Sequence, residues 1–193
     1  MLLPTVSRPL TRFKLTIHAF KDHHKCTDEL NAHIAHSDAA FDNKAASEDH
    51  QIAYERYVKL LRETPQEHHS QNLVCQKGII RHKKMMDHHD TQNKHHDRMA
   101  QQHKSNSELC IGNRCKDAPA SQKAAMKSAK IAAKSSSHAK LAVEALDRAK
   151  PLLGSKSNWR MGKAYLGDAL RHTRQANCEP SLPEKMVAKV FHN

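Results

Sequence analysis

Residues 82–103 read HKKMMDHHDTQNKHHDRMAQQH, so that His82, His89, His96 and His103 recur every seven residues with His88 and His95 alongside. Seven residues make two helical turns, which places all four on one stripe of an α-helix. His68 and Cys75 extend the register upstream and Cys110 extends it downstream. This rhythm predicts a long helix that packs sideways. His88-His89-Asp90 and His95-His96-Asp97 are near-copies one heptad apart. In each pair, one histidine is expected at the seam and the other in solvent.

Upstream, Asp22 to Thr64 reads as one helix or a closely joined pair, because Ala32, Ala39, Ala46 and Ala53 repeat at the same period. Small residues on one stripe allow close helix approach, and the larger apolar groups are densest at the end that carries Tyr54, Tyr57, Val58, Leu60 and Leu61. Thr64-Pro65-Gln66-Glu67 has the form of a capping box with proline at the first helical position, and predicts the start of the next helix. That helix should run to about Glu108, interrupted only at Gly78, and end at Ile111-Gly112-Asn113. The two together make an antiparallel hairpin.

An Ala/Ser/Lys-rich helix is expected over Asp117–Lys150, stopped by Pro151 and Gly154. A fourth should follow Ser155 or Ser157 and carry Trp159, Tyr165, Leu166 and Leu170, and Ser181-Leu182-Pro183-Glu184 predicts a short terminal helix through Phe191. The fold class is therefore all-α: a bundle of four to five helices with long antiparallel coiled-coil-like members. Residues 1–21, basic and without an acid, are set apart from a helical bundle domain over residues 22–193. Arg8, Arg12, Lys14 and Lys21 among hydroxyl and apolar residues resemble an organellar transit peptide or a secretion leader; a plain flexible terminus is the alternative.

Composition supports the class. Only 38% of the 193 residues are hydrophobic, and aromatics are 4%, which makes a thin core; five glycines are too few for a β-rich or nucleotide-loop protein. No apolar run approaches the roughly 20 residues needed to span a bilayer, so no integral membrane helix is expected. Over Asp22 to His103 the composition resembles Ala/His-rich helical repeat proteins of bacteria, a likeness that implies no activity.

The formal charge of +12 predicts an acidic partner, either a protein surface or nucleic acid. Lys123, Lys127, Lys130 and Lys134 share a helix face, and no acid occurs between Asp117 and Glu144. These are the candidates for binding a partner or phosphate. Aromatics for stacking single-stranded bases are absent from that stretch. His82, His89, His96 and His103 are candidates for a response to pH or metal, on the expectation that many of the 17 histidines titrate between about pH 5 and 7.5. Histidines seven apart lie about 10 Å apart along a helix and cannot grip one ion, so a divalent transition metal would need a second helix or a second copy. Glu29, His33 and His36, at offsets of four and seven, are the best single-helix metal candidates.

Catalytic signatures are missing. There is no Gly-x-Ser-x-Gly, no His-Glu-x-x-His, and Gly162-Lys163 lacks the rest of a phosphate loop, so neither a catalytic residue nor a cofactor is assigned. An odd count of five cysteines predicts a reducing compartment, with a Cys110–Cys115 bridge as the alternative. The functional expectation is a non-enzymatic interaction protein, effector-like or an assembly subunit, that binds an acidic macromolecule. The alternatives are nonspecific nucleic-acid binding by the lysine face and a histidine-based pH or metal sensor. Helix packing also admits a homo-oligomer.

Overall fold

The computed structural model describes residues 10–109, 117–155 and 157–176, with the backbone alone for residues 10–25. Four helices make up these residues: α1 (Leu10–Glu63), α2 (His69–Leu109), α3 (Ala118–Leu153) and α4 (Trp159–Gln175). No strand occurs among the described residues. At 1.5 Å per residue, α1 is roughly 80 Å long. It is a single helix and the axis of the molecule: α2 runs back along it, α3 runs parallel to it, and α4 folds back on α3.

Helix ends differ from expectation in ways the backbone explains. α1 begins at Leu10, so residues 10–21 continue the helix. Thr64 does not cap α2. Its amide and its hydroxyl both bond to the Leu60 carbonyl, at 3.0 and 2.7 Å, and close α1 instead. The chain then turns, with the His68 amide on the Pro65 carbonyl at 3.1 Å, and α2 starts at His69. Gly78 does not interrupt α2 but provides room: a Cβ there would lie 2.6 Å from the Tyr57 ring. Pro151 sits inside α3, whose last turn reaches Leu153 before Gly154. The expected terminal helix through Phe191 lies outside the described residues.

The heptads set the packing. Ala32, Ala39, Ala46 and Ala53 of α1 are fully buried, as are Ala125, Ala132 and Ala139 of α3. With side chains this short the backbones come close, and a strict seven-residue period keeps the same stripe facing inward along the shaft. The larger apolar cluster lies at one end, where Tyr57, Leu60, Cys75, Leu146, Ala149, Leu166 and Ala169 are joined by Val74, Ile79 and Leu153. All four helices meet there. Meanwhile Leu30, Ile34, Phe41 and Ile52 are exposed on α1. The shaft thus has a polar interior and some of its larger apolar groups outside.

Candidate functional site: a histidine ladder in the shaft

The polar interior is built from three heptad series. α1 supplies Glu29, His36, Asn43, His50 and Tyr57; α2 supplies His103, His96, His89, His82 and Cys75; α3 supplies Ser121, Ser128 and Ser135. Each step of seven up α1 is matched by seven back along α2, and α3 keeps a constant offset of 85 residues at the His36–Ser121, Asn43–Ser128 and His50–Ser135 contacts. Glu29, His36, Asn43, His50, Tyr57 and the four α2 histidines are all buried. The histidine stripe read from the sequence is the inner face of α2. Of the doubled histidines, His89 and His96 are on the seam, His95 is exposed and His88 is half-buried.

Hydrogen bonds run between layers as well as within them, and the amide of Asn43 fixes their direction. Its Nδ2 donates to the Ala39 carbonyl at 2.8 Å and to Ser128 Oγ at 3.2 Å, so its Oδ1 accepts from His89 Nδ1 at 2.8 Å. Ser128 Oγ, which accepts from Asn43, keeps its own hydrogen and can donate it to His96 Nε2 at 2.8 Å. With His96 Nε2 accepting, the proton of that neutral ring is on Nδ1, and it donates to His36 Nδ1 at 2.8 Å. His36 Nε2 then donates to Ser121 Oγ at 2.8 Å, Ser121 donates to His103 Nε2 at 2.9 Å, and His103 Nδ1 donates to Glu29 Oε2 at 2.5 Å. The chain ends on a carboxylate, which can only accept. With these tautomers every donor from His89 to Glu29 points the same way, through three helices.

A second set of bonds lies nearer the apolar end. His50 and His82 face each other through their Nδ1 atoms at 2.8 Å; His50 Nε2 meets Ser135 Oγ at 2.8 Å, and Ser135 donates to the Ala176 carbonyl at 2.8 Å. His82 Nε2 and the Tyr57 hydroxyl both meet Thr173 Oγ1 at 3.0 Å. Between the two sets there is stacking only, His50 on His89 with centroids 5.6 Å apart and planes 11° from parallel. At this break His89 Nε2 is buried with no hydrogen-bond partner.

The environment disfavours charge on these rings. Burial above all, and then His82, hold His50 down to about 3; burial and then His50 and His88 hold His89 to about 3. His36, His82 and His96 are each held to about 4, with burial the leading cause. The expectation of titration between about pH 5 and 7.5 therefore fails for these five, His82, His89 and His96 among them. An imidazole removed from water, beside a second imidazole, has little to offset a positive charge, and Asp90 beside His89 and Asp97 beside His96 oppose the shift without reversing it.

Glu29, His33 and His36 do not converge on one point. Glu29 accepts from His103, His36 bonds to His96 and Ser121, and His33 Nδ1 donates to the Ala100 carbonyl at 3.0 Å. No group of three or more potential ligands is placed to hold a metal among the described residues. Ser121, His103 and Glu29 have the connectivity of a hydrolytic triad, yet Ser121 Oγ also receives the His36 proton, and serine–histidine contacts recur at Ser128 and Ser135. Repetition along the shaft marks this as a building unit.

Lys123, Lys127, Lys130 and Lys134 are all exposed on α3, on the side away from Ala125, Ala132 and Ser128. Lys130 borders a groove with Ile34, Met126 and the acids Asp38 and Asp42, and burial followed by Asp38 raises the Asp42 carboxyl. Cys26 is disulfide-bonded and Cys75 is a free buried thiol, so an odd cysteine count coexists here with a disulfide. Cys110 and Cys115 lie outside the described residues. No described helix is long and apolar enough to cross a membrane.

Sequence periodicity located His82, His89, His96 and His103, but His50, Asn43 and the three α3 serines were missed. Their signal was present as the same seven-residue period in a second and a third helix. Comparison with protein-family models, with curated proteins and with solved structures finds no match for the chain.

Proposed function

We propose that this is a non-enzymatic interaction protein that docks an acidic macromolecular surface on the lysine face of α3. One observation carries the reading: Lys123, Lys127, Lys130 and Lys134 all point outward, on a stretch of helix with no acid between Asp117 and Glu144. Four ammonium groups in line suit a repeated anion, either the carboxylates of an acidic protein or the phosphates of nucleic acid. The acidic protein surface is the preferred partner because the face has neither aromatic stacking groups nor arginine forks. Titration of poly-glutamate and of duplex DNA against the protein and its K123Q/K127Q/K130Q/K134Q variant tests it. Poly-glutamate binding lost in the variant supports the reading, and unchanged binding removes it. A preference for DNA with a log–log salt slope near about −4 selects the nucleic-acid alternative.

The buried ladder favours a second reading, response to acid. Five neutral imidazoles held inside a bundle make the fold sensitive to proton concentration. Their ring nitrogens, except His89 Nε2, are taken up by protein hydrogen bonds, which supports the proton arm of that reading over the metal arm.

A further inference from the structure

α1 is joined to its two long neighbours by different chemistry. Toward α3 it presents Ala35 and Ala39 against Ala125 and Ala129. Three ion pairs reinforce that side, Arg56–Asp147 at 3.5 Å, Lys140–Asp49 at 3.3 Å and Lys150–Glu63 at 2.9 Å, and Ser136 donates to Asp49 at 2.5 Å. None of these contacts involves a histidine, though His36 and His50 also reach Ser121 and Ser135 of α3 through their Nε2 atoms. Toward α2 it presents the imidazole pairs of the ladder, His36–His96 and His50–His82.

The groups around each α2 histidine come from every helix packed on it. His82 faces His50 and Tyr57 of α1 and Thr173 of α4. His89 faces Asn43 and His50 of α1, with His88 and Asp90 beside it on α2. Asp90 is itself engaged by the Ser47 hydroxyl at 2.6 Å. His96 faces His36 of α1 and Ser128 of α3, with His95 and Asp97 beside it on α2. His103 alone bonds a carboxylate, that of Glu29, with Ser121 and the stacked His36 completing its surroundings. In the His50–His82 and His36–His96 pairs a single proton bridges two rings at 2.8 Å, and a second proton on the bridging atoms would set two N–H groups against each other.

The first turns of α2 are held differently, since Val74, Cys75 and Ile79 belong to the apolar cluster at the end of the shaft. No member of that cluster is a histidine, and its one ring beside the ladder is Tyr57, 5.6 Å from His82 between centroids.

We propose that acidification detaches the part of α2 from His82 to Leu109 from α1, hinged on its apolar first turns, while α1, α3 and α4 remain packed. The detached segment exposes His82, His89 and His96 as charged groups in water, next to Lys83, Lys84, Lys94, Arg98 and Lys104 of the same helix. Acid thereby creates a second cationic helix suited to an anionic surface. The inference rests on the acid-response reading and adds which element moves.

Segment-resolved hydrogen exchange on the full chain at pH 7.5 and pH 5.0, corrected for intrinsic rates, tests it. The expected result is a fall in protection of at least about a hundredfold over residues 82–109, with changes under about threefold over residues 32–60, 69–79 and 125–150. Protection lost evenly over all helices would overturn the selective release and leave the acid response standing. Protection unchanged everywhere would overturn both. A H82Q/H89Q/H96Q variant that is helical at pH 7.5 should keep α2 protected at pH 5.0. If it loses α2 protection as the parent does, the histidines are not the trigger and the proposal fails.

Discussion

Tyr57 shows how one residue locks several helices. Its ring lies against Gly78 of α2, where an added Cβ would come within 2.6 Å, and its hydroxyl reaches Thr173 of α4 at 3.0 Å. The ring is fully buried and cannot swing aside. Gly78→Ala should therefore destabilise the protein by about 1–3 kcal/mol through overpacking, read as a lower melting temperature. The gain in helix propensity from glycine to alanine, at most about 1 kcal/mol, opposes this but does not cancel it. At the ladder the unit is the pair. His82→Leu alone leaves His50 Nδ1 buried without its partner and should cost about 1–3 kcal/mol, whereas H50L/H82L removes both ends together and should cost less than the single change. Denaturant midpoints of the two variants at pH 7.5 decide this; a double variant weaker than the single would show that packing, not polar pairing, governs the site.

Among the elements, α3 has two separable faces. Ala125, Ala132 and Ala139 are fully buried on one, and Ala132→Leu should push α3 off α1 at a cost of about 1–3 kcal/mol, visible in thermal melts. On the other face, replacing the four lysines with glutamine should leave stability within about 0.5 kcal/mol, because exposed charges without close partners contribute little to folding. Normal melting of that variant is what allows a binding loss to be assigned to the lysine face. α2 differs from α3 in having its buried stripe occupied by titratable rings, so its attachment is expected to depend on pH more than that of α3.

For the whole molecule the consequence is a stability curve tilted by pH. His36, His50, His82, His89 and His96 have folded values of about 3 to 4 against an ordinary 6.5. A base depressed in the folded state is protonated first in the unfolded chain, so its contribution is fully present above about pH 6.5. It is lost progressively as pH falls toward the folded value. At pH 5.5 the loss is on the order of 1 kcal/mol per ring and several kcal/mol for the group, a large share of the 5–15 kcal/mol typical of a domain. Urea unfolding at pH 7.5 and 5.5 should show a midpoint falling sharply with acid. Equal midpoints would mean that water reaches the imidazoles.

Much of this architecture was legible as period. Ala32 through Ala53 and His82 through His103 each keep one stripe on one helix, and a period of seven is compatible only with laterally packed helices, so the fold class and the two long elements follow from residue order. Local chemistry was less decisive at the junction, because Thr64-Pro65-Gln66-Glu67 suits a helix start and a helix end equally, and only the Leu60 carbonyl within reach selects between them. Periodicity alone also left open whether the histidine stripe faced water or protein. Histidine is amphipathic, neither burial nor exposure is prohibitive for it, and the large apolar groups that would have settled the orientation are few on α2. Tertiary structure decided this by bringing Asn43, His36, His50 and the α3 serines opposite the stripe. Hydrogen-bond partners from two other helices are what make a column of neutral imidazoles cheaper inside than out, and no helix holds that information by itself.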